Sequence, residues 1–357
     1  MHITSLTLRR FRTYENLVLP VLAGTTAFVG PNAEGKTNIL EAVYCCCVGR
    51  SHRAHHDREM IAEGHDEGRI ILDYENNFGL GNIEIQLFSN KRKRILCDGK
   101  PVPRIGELYG KLNCVLFSPE DLALVKGGPG LRRAYVDIAL SQARPAYFLQ
   151  LQRYTHILKQ RNALLRAEQP GTALWAWDEQ LAATGAEVMA GRSAFIDRLA
   201  AKATEIHRDI CGETLNVSYE PNVDAGNFLN ILQKDHAADI SRGSTNHGPH
   251  RDDIMLHVEN RPARIYASQG QQRTVALALR IAELCVLRDA SGQWPVLLLD
   301  DVLSELDGAR RAALLALLPH VQTLITGTDA KDLRTLADCA IYNVLNGSVE
   351  RSASGSS

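Results

Sequence analysis

Residues 26–41 constrain this chain more than any other stretch. An apolar run, Thr26-Ala27-Phe28-Val29, stops at a glycine, turns, and restarts as a helix-forming segment, Lys36-Thr37-Asn38-Ile39-Leu40-Glu41. Between them Gly30, Pro31, Asn32, Ala33, Glu34, Gly35, Lys36 and Thr37 match the phosphate-loop pattern G-x-x-x-x-G-K-[ST]. Such a loop turns successive backbone N–H groups inward around the α/β-phosphates. Lys36 then reaches the β/γ-phosphates, and the Thr37 hydroxyl can ligate Mg²⁺. The positive end of the following helix adds to the attraction. The competing structural account is a glycine-bounded surface turn with a solvated lysine. A strand before the loop and a helix after it favour nucleoside triphosphate binding.

Length bears on how much surrounds that loop. With 357 residues, two domains, or one carrying a large insertion, are expected. The formal net charge is −1, so any contact with nucleic acid has to come from local basic patches. The segment Met1-His2-Ile3-Thr4 lacks a signal-peptide plan, its short apolar stretch being broken by Arg9, Arg10 and Arg12. No apolar run is long enough for a membrane span. Eight cysteines are scattered without a C-x-x-C pair, which argues against a zinc ribbon or a thioredoxin-like site and for a reducing, cytoplasmic compartment. Cys45, Cys46 and Cys47 follow the phosphate loop on its helix and read as small core residues.

Hydrophobic periodicity divides the chain. Alternation predicts strands at 2–9, 17–19, 25–29, 69–75, 83–88 and 95–97, with a helix at 36–48 and a tight turn at Asp98-Gly99. His52, His55 and His56 invite a metal reading, but no carboxylate or cysteine spacing completes one. Ser118 and Pro119 read as the N-cap and first position of a helix. Apolar stripes of three-to-four-residue spacing then predict helices at 132–142, 145–166 and 172–210. A strand is expected at 215–219, a short helix near 226–236, a polar turn at 248–253 entering a strand, and a hairpin continuing through 260–265. The expected organisation is α/β: a discontinuous head of 1–121 and 211–351, a helical lobe at 122–210, and a disordered Ser-rich tail at 352–357.

Three later stretches distinguish among the many proteins that carry phosphate loops. The run Pro295-Val296-Leu297-Leu298-Leu299 reads as a buried strand ending in Asp300 and Asp301. Asp300 stands where a Walker B aspartate holds Mg²⁺, and Asp301 where a carboxylate polarises the attacking water. Upstream, Ser268, Gln269, Gly270 and Gln271 open a strong helix, 274–288, and resemble the signature motif of ABC-type ATPases; a helix cap built on Ser268 explains them locally. Ser304-Glu305-Leu306-Asp307 takes the place of the D-loop, and residues 323–329 that of the switch strand, without the histidine usual in transporters. Ser118-Pro119-Glu120-Asp121 stands where a Q-loop glutamine would be.

Arg12, the loop at 30–38, Phe117–Leu122, Gln160-Arg161-Asn162, Gly248–Asp253, Ser268–Arg273 and Leu297–Asp307, in that order, closely resemble the RecF family. These are bacterial recombination mediators among the SMC-like ABC ATPases. The resemblance spans about Ile3 to Thr328; Ala33 replaces a glycine of many members. It implies an ABC-type P-loop ATPase head with an inserted α-helical lobe. It also implies ATP and Mg²⁺ as ligands, slow hydrolysis, an ATP-dependent head-to-head homodimer, and binding to DNA at single-/double-strand junctions without sequence readout. RecR and RecO are the implied partners in loading recombinase at gaps, and no membrane is involved. Residue by residue, it implies that Gly30, Asn32, Gly35, Lys36, Thr37 and Asn38 hold the nucleotide, Thr37 and Asp300 the metal. Asp301 is the implied base, or in a non-hydrolysing scaffold only a water-positioner. Ser268, Gln269, Gly270 and Gln271 close the site from the other subunit, and Arg12 approaches the nucleotide. Candidate DNA contacts are Lys91–Arg94, Arg132, Arg133, Arg310 and Arg311. The alternative is the energising subunit of an ABC transporter, against which stand the helical insertion and the missing histidine.

Overall fold

The structure is a computed structural model that describes residues 1–167, 173–329 and 339–352. It divides into two compact units, Met1–Asp121 with Glu283–Ser357, and Leu122–Ala282. In chain order the elements of the first part are β1 (His2–Phe11), β2 (Tyr14–Pro20), β3 (Thr25–Val29), α1 (Lys36–Val48), β4 (Glu67–Asn76), β5 (Gly79–Phe88), β6 (Arg94–Cys97), β7 (Lys100–Pro101) and β8 (Cys114–Phe117). There follow α2 (Leu122–Lys126), α3 (Pro129–Ala143), α4 (Pro145–Leu165), α5 (Ala173–Cys211), β9 (Leu215–Glu220), α6 (Phe228–Lys234), α7 (His236–Arg242), β10 (Asp253–Val258), β11 (Arg261–Pro262), α8 (Ala263–Tyr266) and α9 (Gln269–Ser291). The chain re-enters the first unit at Glu283, within α9, and continues with β12 (Val296–Leu299), α10 (Gly308–Leu315), β13 (Thr323–Gly327), β14 (Cys339–Leu345) and β15 (Ser348–Arg351).

Two six-stranded sheets build the first unit. One is antiparallel, in the order β2-β1-β4-β5-β6-β7. Its strands alternate as a one-sided sheet must: Ile70, Leu72 and Tyr74 of β4 are buried, while Glu67 and Arg69 face solvent. The other runs β15-β14-β3-β13-β12-β8, and five of its strands are parallel. Every residue of β3, β8 and β12 is buried, as continuous apolar runs in a parallel sheet require. Helix α1 touches β4 and β5 of the first sheet and β8 and β13 of the second. Packed on several sides, it needs apolar residues nearly all round; Cys45, Cys46 and Cys47 are at most 1% exposed there.

The second unit gathers α3, α4 and α5 with the sheet β11-β10-β9. Its far boundary falls later than the lobe expected at 122–210. The reason is packing: β9 lies against α5 and β10 against α3, and Leu215, Val217, Ile254 and Leu256 are buried. The hairpin expected through 265 is also shorter, because Ala263–Tyr266 turns into α8. Of the expected disordered tail, residues 353–357 lie outside the described residues, and the Ser352 amide donates to Ile341.

Candidate functional site

In the parallel sheet the carboxyl ends of β3, β8, β12 and β13 lie along one edge, in the register Phe117, Leu299, Ile325 and Ala27. Ligands of open α/β sheets bind beyond that edge, and the chain places its loop there. Gly30 leaves β3 with no room for a side chain: a Cβ would stand 2.1 Å from the Val344 carbonyl oxygen. Ala33 and Gly35 both take left-handed backbone, at φ 69° and 106°, and Lys36 starts α1. The Lys36 ammonium, buried at 4% exposure, donates to the carbonyls of Gly30 at 2.8 Å and Pro31 at 2.7 Å. It therefore bridges the loop instead of extending into solvent, and the solvated-lysine alternative is excluded. Glu34 accepts from the Asn346 amide at 2.5 Å, so its carboxylate secures the loop's outer wall.

Beside the loop, Thr37 Oγ1 and Thr326 Oγ1 each donate to Asp300 Oδ1 at 2.8 Å. Thr326 Oγ1 in turn accepts from the Asp301 amide at 2.9 Å and fixes that residue's left-handed backbone, φ 52°. Burial pushes the Asp300 carboxyl above the usual carboxylate range, against the opposing pull of the Thr326 and Thr37 hydroxyls. These donors suit Mg²⁺, a hard cation with oxygen ligands near 2.0–2.1 Å. Adjacent corners of its octahedron stand about 2.9 Å apart, close to the Thr37–Asp300 separation. Thr326 lies within residues 323–329, the strand ending in hydroxyls that stands in the place of the switch; the motifs single out the stretch but not Thr326 as the partner of Asp300 and Asp301.

The β1–β2 turn braces the loop. Arg12, left-handed at φ 53°, donates from Nε and Nη2 to the two oxygens of Glu41, at 2.9 and 2.7 Å, and from Nη1 to the Glu59 carbonyl at 2.6 Å. Glu41 is fully buried and also accepts from Ser51 Oγ at 2.5 Å. Asn38 Nδ2 donates to Thr13 Oγ1 at 3.2 Å, and the Tyr14 hydroxyl donates to the Gly35 carbonyl at 3.0 Å. Arg12 thus spends its fork on the protein, and Thr13 and Tyr14 are the neighbours that touch the loop. Of the three histidines, His52 packs edge-on against Tyr44 with ring centroids 5.2 Å apart, and His55 and His56 are exposed.

The signature residues belong to the second unit. Ser268 and Gln271 form a reciprocal capping box at the start of α9: the Gln271 amide donates to Ser268 Oγ at 3.2 Å, and the Ser268 amide to Gln271 Oε1 at 2.8 Å. Ser268 and Gln269 are exposed, Gly270 and Gln271 half-buried. Among the expected DNA contacts Arg132 is corrected. It is 6% exposed and pairs through both forks with Asp253 at 2.8 Å, because the turn at 248–253 folds onto α3. Arg133 donates to the Asp252 carbonyl at 2.5 Å. Lys93 pairs with Asp57, and Arg310 with Asp307 in the first turn of α10. Lys91, Arg92 and Arg94 remain exposed on the basic run.

Residues 2–340 match the family model described as RecF/RecN/SMC N terminal domain. A protein of Clostridium novyi (strain NT), named DNA replication and repair protein RecF, is 37% identical over 98% of this chain and 100% of its own length. One of that name from Cyanothece sp. (strain PCC 7425 / ATCC 29141) is 42% identical over 97% of each chain. The chain belongs to the RecF family. A solved structure of the recombination mediator protein RecF-ATP in the RecFOR pathway superposes with a TM-score of 0.92 at 31% identity, covering 99% of this chain and 98% of the other. A likeness to an Smc head bound to the C-winged helix domain of ScpA, with a TM-score of 0.59 at 15% identity, concerns the fold alone. The architecture is the ABC-type P-loop ATPase fold.

Two of the RecF-family strings prove to be structural. Arg161, with 0% exposure, donates to Asp178 and Asp239 at 2.7 Å and to Thr245 at 2.8 Å, while Asn162 accepts from the Thr245 amide at 2.8 Å. His250 pairs with the Tyr154 hydroxyl, and Asp252 with Arg192 and Tyr219. In these two strings each buried charge meets an opposite one, as burial demands.

Proposed function

We propose that this chain is an ATP-dependent clamp on DNA, acting as a homodimer in which each nucleotide lies between the loop of one copy and residues Ser268–Gln271 of the other. The observation that supports it most is the Thr37–Asp300–Thr326 cluster against a loop whose lysine is already turned inward. Gly30–Asn38 hold the triphosphate, with Lys36 on the β/γ-phosphates. Thr37 and Asp300 would hold Mg²⁺, which when bound would supply neutralising charge to the phosphoryl oxygens. Asp301, whose backbone Thr326 holds, takes the proton of the attacking water as the γ-phosphoryl group passes to it, giving ADP and phosphate. The exposed N-terminus of α9 offers its N–H groups to the γ-phosphate of the partner's nucleotide. Arg12 acts through the loop's brace.

Binding in the gap between copies stabilises the dimer by mass action, and loss of the γ-phosphate releases it. Turnover is slow and stimulated by DNA, and DNA is held by its phosphates at single-/double-strand junctions. RecR and RecO are the proposed partners in loading recombinase at gaps, in the cytoplasm. A transporter role is set aside, since the relatives that match nearly the whole chain are named for DNA replication and repair.

Sedimentation with and without ATP and Mg²⁺, on gapped and blunt duplex DNA, tests this. The wild type is expected to dimerise with ATP and to prefer the gap. Lys36→Ala abolishes that dimer, Ser268→Arg blocks it while leaving monomer ATP binding, and Asp301→Asn binds ATP but stays trapped as a dimer. A wild type that remains single when saturated with ATP and Mg²⁺ overturns the proposal.

A further inference from the structure

Among the described residues one group of three mixed donors has the spacing of a metal site: His207, Cys211 and Glu213 in the second unit, with donor atoms all within 4.8 Å of one another. His207 and Cys211 are four residues apart on the last turn of α5 and share a face. Glu213 lies two residues beyond the helix end, after Gly212. Cys211 Sγ lies 3.6 Å from His207 Nδ1, 3.8 Å from His207 Nε2 and 3.8 Å from Glu213 Oε2. In a tetrahedral zinc site, bond lengths near 2.3 Å to sulfur and 2.0–2.2 Å to nitrogen and oxygen separate such ligands by about 3.5 Å. The two separations from sulfur therefore need to close by only a few tenths of an ångström, and the nitrogen–carboxylate separation starts from within 4.8 Å.

The surroundings also suit a cation. His207 Nδ1 lies 3.0 Å from the Glu213 carbonyl oxygen. Donation there places the ring proton on Nδ1 and leaves Nε2 as the free ligand atom. The orphan carbonyls at the end of α5 supply negative potential. His207 is fully buried, Cys211 exposed and Glu213 half-buried, which gives the cluster an inner wall and an entry path from solvent. The other carboxylate oxygen of Glu213 accepts from Gln271 Nε2 at 2.8 Å, and Gln271 closes the capping box of α9.

We infer that His207, Cys211 and Glu213 form a site for a borderline-soft divalent cation of the zinc class, whose occupation stiffens the start of α9 through Glu213 and Gln271. Nitrogen, thiolate and carboxylate together select zinc over magnesium or calcium. Binding deprotonates the thiol and releases that proton to solvent. None of the three donors belongs to the phosphate loop or to Ser268–Gln271, and the test uses no nucleotide, so its outcome does not depend on the ATP-clamp reading.

Cobalt(II), titrated anaerobically into the full chain without nucleotide, is the probe. The expected result is a thiolate-to-cobalt charge-transfer absorption saturating at about one equivalent, displaced by zinc. Cys211→Ser, an isosteric change at an exposed position, removes the band. Glu213→Gln weakens binding at least tenfold. Hydrogen exchange supplies the second readout: zinc slows the Gln271 amide in the wild type and leaves Cys211→Ser unchanged. No band with cobalt in excess, or a band that survives in Cys211→Ser, overturns the site. An exchange rate at Gln271 indifferent to zinc overturns the link to α9.

Discussion

Replacing Arg12 separates a residue that touches nucleotide from one that supports the loop. Arg12→Ala removes three donors at once and leaves Glu41, which is fully buried, with Ser51 as its remaining close hydroxyl partner. Breaking a buried pair from one side costs about 3–5 kcal/mol. The Arg12 side chain is 22% exposed and Ser51 stays, so about 3 kcal/mol is expected, read as a lower urea midpoint at unchanged slope. The pH dependence carries its own sign. In the wild type, burial pushes the Glu41 carboxyl up, but hydrogen bonds from Arg12 and Ser51 together hold it below the usual range. That stability is present above the unfolded carboxylate pKa and is lost as pH falls through the lower folded value. Without Arg12 burial wins, the carboxyl is raised, and uptake of a proton relieves the buried charge. The deficit of Arg12→Ala is therefore smaller at pH 5 than at pH 7. Arg12→Ala/Glu41→Gln recovers most of the stability, and its ATP affinity follows the recovery if Arg12 acts only as a brace. A single-mutant cost under about 1 kcal/mol, or a deficit independent of pH, refutes this account.

Three further outcomes are expected. Thr326→Val leaves the Asp301 amide and one Asp300 lone pair unpaired in a site where Thr326 is 1% exposed; it should cost about 2 kcal/mol in urea melts and slow ATP turnover. Gly30→Ala drives a Cβ into the Val344 carbonyl; because that neighbour is backbone, calorimetry of ATP binding should show loss of more than about tenfold in affinity, that is about 1.4 kcal/mol. Burial lowers the His250 pKa to about 4. A base depressed in the folded state gains its proton more readily on unfolding, so stability is lost as pH falls from about 6.5. Between pH 7 and pH 4.5 the wild type should lose about 2 kcal/mol more than His250→Gln, measured by urea unfolding; parallel pH profiles would exclude it.

Local chemistry made much of this legible in the sequence. A loop with glycines at both ends of a fixed spacing, an apolar strand closing on Asp300 and Asp301, and Ser268 before a helix are short-range patterns. Backbone sterics and hydrogen bonding decide them within a few residues, and β3 and α1 begin and end where the periodicity put them. The capping box on Ser268 and Gln271 was likewise written locally. Partners far apart in sequence were not. Nothing near Asp300 announces Thr326 as the residue that fixes both acids, since only the pairing of β12 with β13 brings them together. Arg12 and Glu41 look like two surface charges until β1 and α1 are packed, and Arg132 looks like a free cation until Asp253 folds onto it. The three donors at 207, 211 and 213 needed the end of α5 and the turn after it to face one another. Short-range order along the chain sets the loop, the acidic strand end and the helix caps, because each is satisfied by its own neighbours; which buried charge meets which counter-charge was left to tertiary packing, because a desolvated ion is stable only where the fold delivers its partner.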